Sequence, residues 1–213
     1  DGAIMVYDDG RLVCCDIMHQ QHTVWQTDYV AEHHLRHTKS LKVYSDINEN
    51  VWLYGQGTLF IYNKNTNQWD TSFGDKLGLS GISVDHAVNS VTGDSHGNIW
   101  IGTDRNGLMH YNLESKELIS VHPRSINDNQ AHEDVIGIQS LYFDETDLLW
   151  VGTEKSGIAY SGQYIYRFGS DLMGDITALA QDANGTIWYG TSDRGIIGYD
   201  GQGLAIYEPR NDR

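Results

Sequence analysis

Proline occurs only twice in this chain, and cysteine only as the adjacent pair Cys14-Cys15. Scarce proline beside 23 glycines and 11% aromatics argues against a proline-rich disordered chain and suits many short strands joined by tight turns. Leu12-Val13-Cys14-Cys15 reads as strand, so the two thiols point to opposite faces. A disulfide between such neighbours needs unusual backbone geometry. A disulfide scaffold is therefore not expected, and cysteine usage leaves the compartment open. No stretch approaches the roughly 18 apolar residues of a membrane helix. Any membrane attachment would run through segments outside this chain, and no signal peptide is visible. Basic residues are also few, 14 Lys and Arg against 29 Asp and Glu, for a formal net charge of −15. Such a surface disfavours nucleic acid and anionic membranes as partners. Also missing are a nucleophile elbow, a P-loop, a HExxH pair and a glycine-rich dinucleotide loop. Neither catalysis nor a cofactor is expected.

What the chain does have is a repeat. Aspartates 46, 94, 144 and 182 each precede a tryptophan by six positions, at Trp52, Trp100, Trp150 and Trp188. Glycine follows the tryptophan at +7 in three copies (Gly107, Gly157, Gly195), and an aromatic comes next (Tyr111, Tyr160, Tyr199). Gly102-Thr103, Gly152-Thr153 and Gly190-Thr191 recur as well. The Trp52 copy lacks this pair and is one residue shorter before its aromatic, Tyr62.

Each part of the phrase has a physical reading. Asn184-Gly185 and His96-Gly97 lie between apolar runs, where glycine supplies the positive φ of a hairpin turn. Thr186–Tyr189 and Asn98–Ile101 are β-branched and aromatic runs that read as strands. The recurring aspartates suit turn formation better than catalysis. One unit is four short antiparallel strands, repeated at tryptophan spacings of 48, 50 and 38 (100−52, 150−100, 188−150). Repeats of roughly 40–50 residues with four strands point to an all-β fold, a β-propeller, with the tryptophan wedged between neighbouring blades. Full blades are expected at 41–69, 88–121, 138–168 and 176–207. Residues 2–16 align with strands three and four, and 1–16 are expected to form a half blade. About four and a half blades are a single partial ring or a piece of a larger one. Its open edges could support self-association.

The joints between blades are long at 17–40, 70–87 and 122–137. In an up-and-down sheet these joints share one face of the ring with the turns between strands two and three. That decorated face is the expected recognition surface. Its turns carry Gln56, Arg105, Asn106, Lys155, Asp193 and Arg194. The three cations occupy nearly equivalent places and could converge on an anionic or polyhydroxylated ligand, or simply keep the turns solvated. Trp25 and Tyr29, in the first long joint, could stack on sugar rings or staple the joint to the blades. His33, His34 and His37 could bind a transition metal if their stretch is helical. The plainer reading is a solvated segment with exposed histidines and no metal.

DANGTIWYGT…RGIIGYD and DSHGNIWIGTDRNGLMHYN resemble the two-component-regulator propeller repeat. The resemblance covers most of the chain apart from the long joints. It implies the extracytoplasmic, periplasmic sensor region of a bacterial receptor of the hybrid histidine kinase or diguanylate cyclase type. Family ligands include oligosaccharides, so a small polar ligand or oligosaccharide is the expected partner. The repeat itself carries no ligand-contacting motif. The rival readings are a propeller enzyme, streptogramin-lyase-like or glycan-acting, and a protein-interaction scaffold.

Overall fold

The computed structural model describes residues 3–8, 11–16, 19–26, 41–55, 58–66, 68–76, 87–121, 124–125, 137–155, 157–161, 165–168 and 175–207. They form five sheets in chain order, each built on an antiparallel hairpin meander. The first sheet has three strands, β1 (Ala3–Asp8), β2 (Arg11–Asp16) and β3 (Gln21–Gln26). The second has β4 (Lys42–Ser45), β5 (Val51–Gly55), β6 (Thr58–Asn63) and β7 (Gln68–Asp70). A four-residue helix, α1 (Phe73–Lys76), follows. The third has β8 (Val88–Gly93), β9 (Ile99–Thr103), β10 (Leu108–Tyr111) and β11 (Leu118–Val121). After the two-residue β12 (Arg124–Ser125) come β13 (Ile138–Phe143), β14 (Leu149–Thr153), β15 (Ile158–Ser161) and β16 (Ile165–Phe168) of the fourth. The fifth has β17 (Ile176–Gln181), β18 (Ile187–Thr191), β19 (Ile196–Tyr199) and β20 (Leu204–Tyr207). This is the expected all-β architecture of propeller blades.

Three details differ from the expectation. Gln21–Gln26 is a strand inside the first expected joint. It pairs with β2 in register, Leu12 opposite Trp25 and Val13 opposite Val24. The run His22-Thr23-Val24-Trp25 has the β-branched and aromatic character that favours this. The sheet over residues 1–16 therefore extends to Gln26. Second, β1 lies against β4. In the later sheets that place belongs to first and second strands, as with β8 and β9 against β13. Third, β12 leaves the joint after the third sheet and pairs in parallel with β16, so the fourth sheet has five strands.

The core lies between sheets. The second and third sheets bury Trp52, Leu59, Val88, Ile99 and Ile101 between them, with Phe73 of α1 closing the seam. Phe73 meets Trp52 and Tyr111 edge to face at 5.3 and 4.7 Å. The third and fourth sheets bury Leu108, Ile138, Leu149 and Val151, with Trp100 packed against them. The fourth and fifth bury Trp150, Ile158, Ile176, Ile187 and Tyr189. In each seam the tryptophan comes from the earlier sheet, as expected of a wedge. A four-stranded sheet cannot bury both faces alone, and stacking supplies the second cover.

Glycine at the close approach explains the Gly-Thr pair. A methyl group on Gly102 would stand 2.5 Å from Ile138 Cγ2, and one on Gly152 would stand 2.6 Å from Ile176 Cγ2. Only a residue without Cβ lets the next sheet's isoleucine in this far.

Candidate functional site

The repeat phrase builds both rims of the stack. On one rim, the turn between first and second strands is held by its aspartate. Asp144 Oδ1 accepts N–H bonds from Thr146 and Leu148 at 2.8 and 3.0 Å, while Oδ2 accepts Trp150 Nε1–H at 2.8 Å. Asp46, Asp94 and Asp182 do the same, with Trp Nε1 at 2.9, 3.4 and 2.8 Å. The six-residue spacing thus sets a clamp as well as a turn, a second role that the fixed offset already carried. Partial burial opposes ionisation of Asp94, but hydrogen bonds from Asn98, Trp100 and His96 outweigh it and hold its carboxyl below the usual range. At Asp144 burial is likewise outweighed, by bonds from Trp150, Thr146 and Leu148. At Asp182 the Trp188 bond is the leading cause of the same downward shift.

On the other rim, the turn between second and third strands is closed by threonine. Thr103, Thr153 and Thr191 each donate N–H and Oγ1–H to the carbonyl of Gly107, Gly157 and Gly195. Those glycines have φ of 67°, 77° and 77°, which explains the +7 position. The turn also grips the end of the preceding joint. Asp104 N–H bonds Ala87 O at 3.1 Å, Glu154 N–H bonds Gly137 O at 2.7 Å, and Ser192 N–H bonds Asp175 O at 3.0 Å. Joint ends and these turns therefore share one rim, as expected from strand alternation.

Arg105, Asn106, Lys155 and Asp193 are exposed there and Arg194 is half-buried. The cations are not equivalent by position. Arg194 N–H donates to Thr191 Oγ1 at 2.8 Å, as Asn106 N–H donates to Thr103 Oγ1 at 2.9 Å. Arg194 therefore matches Asn106, and the place of Arg105 and Lys155 is held by Asp193. Each cation sits beside an acid in sequence: Asp104-Arg105, Glu154-Lys155, Asp193-Arg194. Lys155 Nζ lies 3.2 Å from Glu154 Oε1. Gln56, Tyr29, His33, His34, His37 and the Trp25 side chain lie outside the described residues. Among the described residues no group of His, Cys, Asp and Glu could hold a metal.

The clamp rim holds a cavity of about 240 Å³ between the second and third sheets, lined by Ile47, Asn48, His96, Asn98, Asn112 and Glu114. The repeat gave no signal for it. Two of its amides are engaged internally: Asn112 Nδ2–H bonds Asn98 Oδ1 at 2.9 Å, and Asn98 Nδ2–H bonds Asp94 Oδ2 at 2.8 Å.

Antiparallel four-stranded sheets stacked through tryptophan wedges define a β-propeller segment. Residues 82–105 and 173–193 match the family described as two component regulator propeller. It is 28% identical over 124 residues to histidine kinase P4 of Formosa agariphila, covering 55% of this chain and 8% of that protein. Among solved structures it superposes on the extracellular domain of a hybrid two component system from B. thetaiotaomicron. The TM-score is 0.71 at 20% identity, over 99% of this chain and 27% of that one. It also superposes on PorZ, a surface component of the type-IX secretion system of Porphyromonas gingivalis. There the TM-score is 0.63 at 17% identity, over 89% of this chain and 29% of that one. The chain thus spans under a third of each of these proteins.

Proposed function

We propose that the chain is the sensing propeller of a bacterial two-component receptor of the hybrid histidine kinase type. It would stand on the extracytoplasmic side, with ligand on the rim that carries the long joints. The regulator repeat is the observation that carries this reading. The chemistry of the rim supports a neutral, hydroxyl-rich ligand such as an oligosaccharide. Acid and cation stand side by side at three of the turns there, which suits hydroxyls that both donate and accept and cancels much of the pull on an anion. Ligand would bias an equilibrium that a neighbouring output domain reads. In this reading the segment binds and does not catalyse.

Calorimetric titration of the chain with a panel of neutral and acidic oligosaccharides tests this. Saturable binding weakened roughly tenfold or more by Arg105→Ala or Arg194→Ala, with folding intact, is expected. Binding untouched by both changes would move the site off this rim. Release of shortened or unsaturated glycan products would favour the enzyme reading.

A further inference from the structure

The open face of the fifth sheet repeats the tryptophan and the glycine socket of the faces that the third and fourth sheets bury. Trp188 pairs across the sheet with Ala180 and Gly198, and Gly198 with Ala205. The indole lies on Gly198, where an added methyl would come within 3.0 Å of the ring, and 5.4 Å from the Tyr207 ring. A groove of about 340 Å³ runs along Thr186, Trp188, Gly198, Ala205 and Tyr207. Ile196 occupies the position of Leu108 and Ile158, opposite the glycine of the Gly-Thr pair. Leu108 and Ile158 are both 0% exposed, whereas Ile196 is 52% exposed. Tyr207 is 56% exposed.

Gly190 sharpens the comparison. Gly102 and Gly152 each receive an isoleucine from the next sheet's first strand. A methyl on Gly190 would meet only Thr177 and Ala178 of its own sheet, at 3.6 and 3.8 Å. The socket is built and nothing described fills it.

We infer that this face is a docking surface for a further four-stranded blade, one that carries a valine or isoleucine six residues before its turn aspartate. That spacing is common to Val88–Asp94, Ile138–Asp144 and Ile176–Asp182, the three first strands that enter seams in this chain. A second copy of the chain does not supply it. Its first strands β8, β13 and β17 are already packed on the sheets before them, and β4 lies against β1. In the first sheet, the residues six before Asp8 and Asp9 are Gly2 and Ala3. The surface is also less polar than its predecessors. Ser90 Oγ accepts Leu141 N–H at 3.1 Å, and Ser140 Oγ–H donates to Ile176 O at 3.1 Å. Ala178 stands in the same place after the bulge. The added blade must therefore dock by apolar fit, without that hydroxyl link.

The test places the probe Ile196→Cys in two proteins, the chain itself and the chain with a second copy of residues 169–207 joined after Tyr207. That insert brings the short joint used between the fourth and fifth sheets and a second Ile176. Alkylation of the introduced thiol is read by peptide mass spectrometry, apart from Cys14 and Cys15. Protection of roughly tenfold or more in the extended protein is expected. Gly190→Val should remove that protection while leaving the melting temperature of the unextended chain unchanged. Equal alkylation in both proteins would overturn the inference. So would concentration-dependent protection in the unextended chain, which would make a second copy the occupant.

Discussion

The second and fifth sheets invert the relation between motif and burial. The second has the degenerate repeat: it lacks the Gly-Thr pair and is one residue short. Yet Trp52 and Leu53 are fully buried, and Phe73 of α1 caps the seam. The fifth carries the complete phrase, but Trp188 stays half-exposed and Ile196 and Tyr207 face solvent. The phrase encodes the sheet and its turns. What a sheet buries depends on the neighbour stacked after it.

Substitutions can break or sharpen this contrast. The largest effect is expected at the wedge. Trp52→Ala should cost about 3–5 kcal/mol in urea denaturation, while Trp188→Ala should cost about 1–2. Equal losses would mean that stacking adds nothing to the tryptophan. Next come the sockets. Gly102→Ala and Gly152→Ala force a methyl against Ile138 and Ile176 and should cost about 1–3 kcal/mol each. Gly190→Ala should stay within about 0.5 kcal/mol, since nothing there is closer than 3.6 Å.

Acid is expected to act on the clamps. The carboxyls of Asp94 and Asp144 lie below their ordinary value of 3.8 in the folded chain. Their contribution is full above that value and fades as pH falls through the lower folded one. The clamps' share of the unfolding free energy should therefore be constant near neutrality and fall below about pH 4. Asp144→Asn should flatten that fall, and an unchanged acid limb would remove the clamp as its cause. A small effect is also expected at the exposed rim. Ser95 Oγ–H bonds Asp147 Oδ2 at 2.6 Å between the third and fourth sheets. Ser95→Ala should cost under about 1 kcal/mol.

The sheets are legible in the sequence because their signals are local. The aspartate, the turn glycine, the tryptophan and the +7 glycine sit within one short stretch, and each satisfies a backbone need of that stretch. The +7 glycine is the clearest, since its left-handed φ and its carbonyl bond to threonine are both internal to the turn. What the sequence hides depends on pairing at a distance. The strand at Gln21–Gln26 pairs with β2 outside the repeat phrase. The strap at Arg124–Ser125 is two residues long and takes its register from Tyr166 and Arg167, far along the chain. Arg194 stands one residue past the place that Arg105 and Lys155 share. The threonine hydrogen bond, which counts positions within the turn, shows the offset.

The glycine sockets also give the stack a direction. At the seams after the third and fourth sheets unlike surfaces meet, a glycine socket from the earlier sheet and an isoleucine from the later one. Such an interface is heterologous: two copies of the same face cannot satisfy each other across a twofold axis. Added blades must all enter with the same handedness, so the series either closes on its own first sheet or ends at a surface that breaks the pattern. The seam between the second and third sheets, where Tyr54 stands in place of the glycine and Val88 in place of the isoleucine, keeps that direction with a different pair of surfaces.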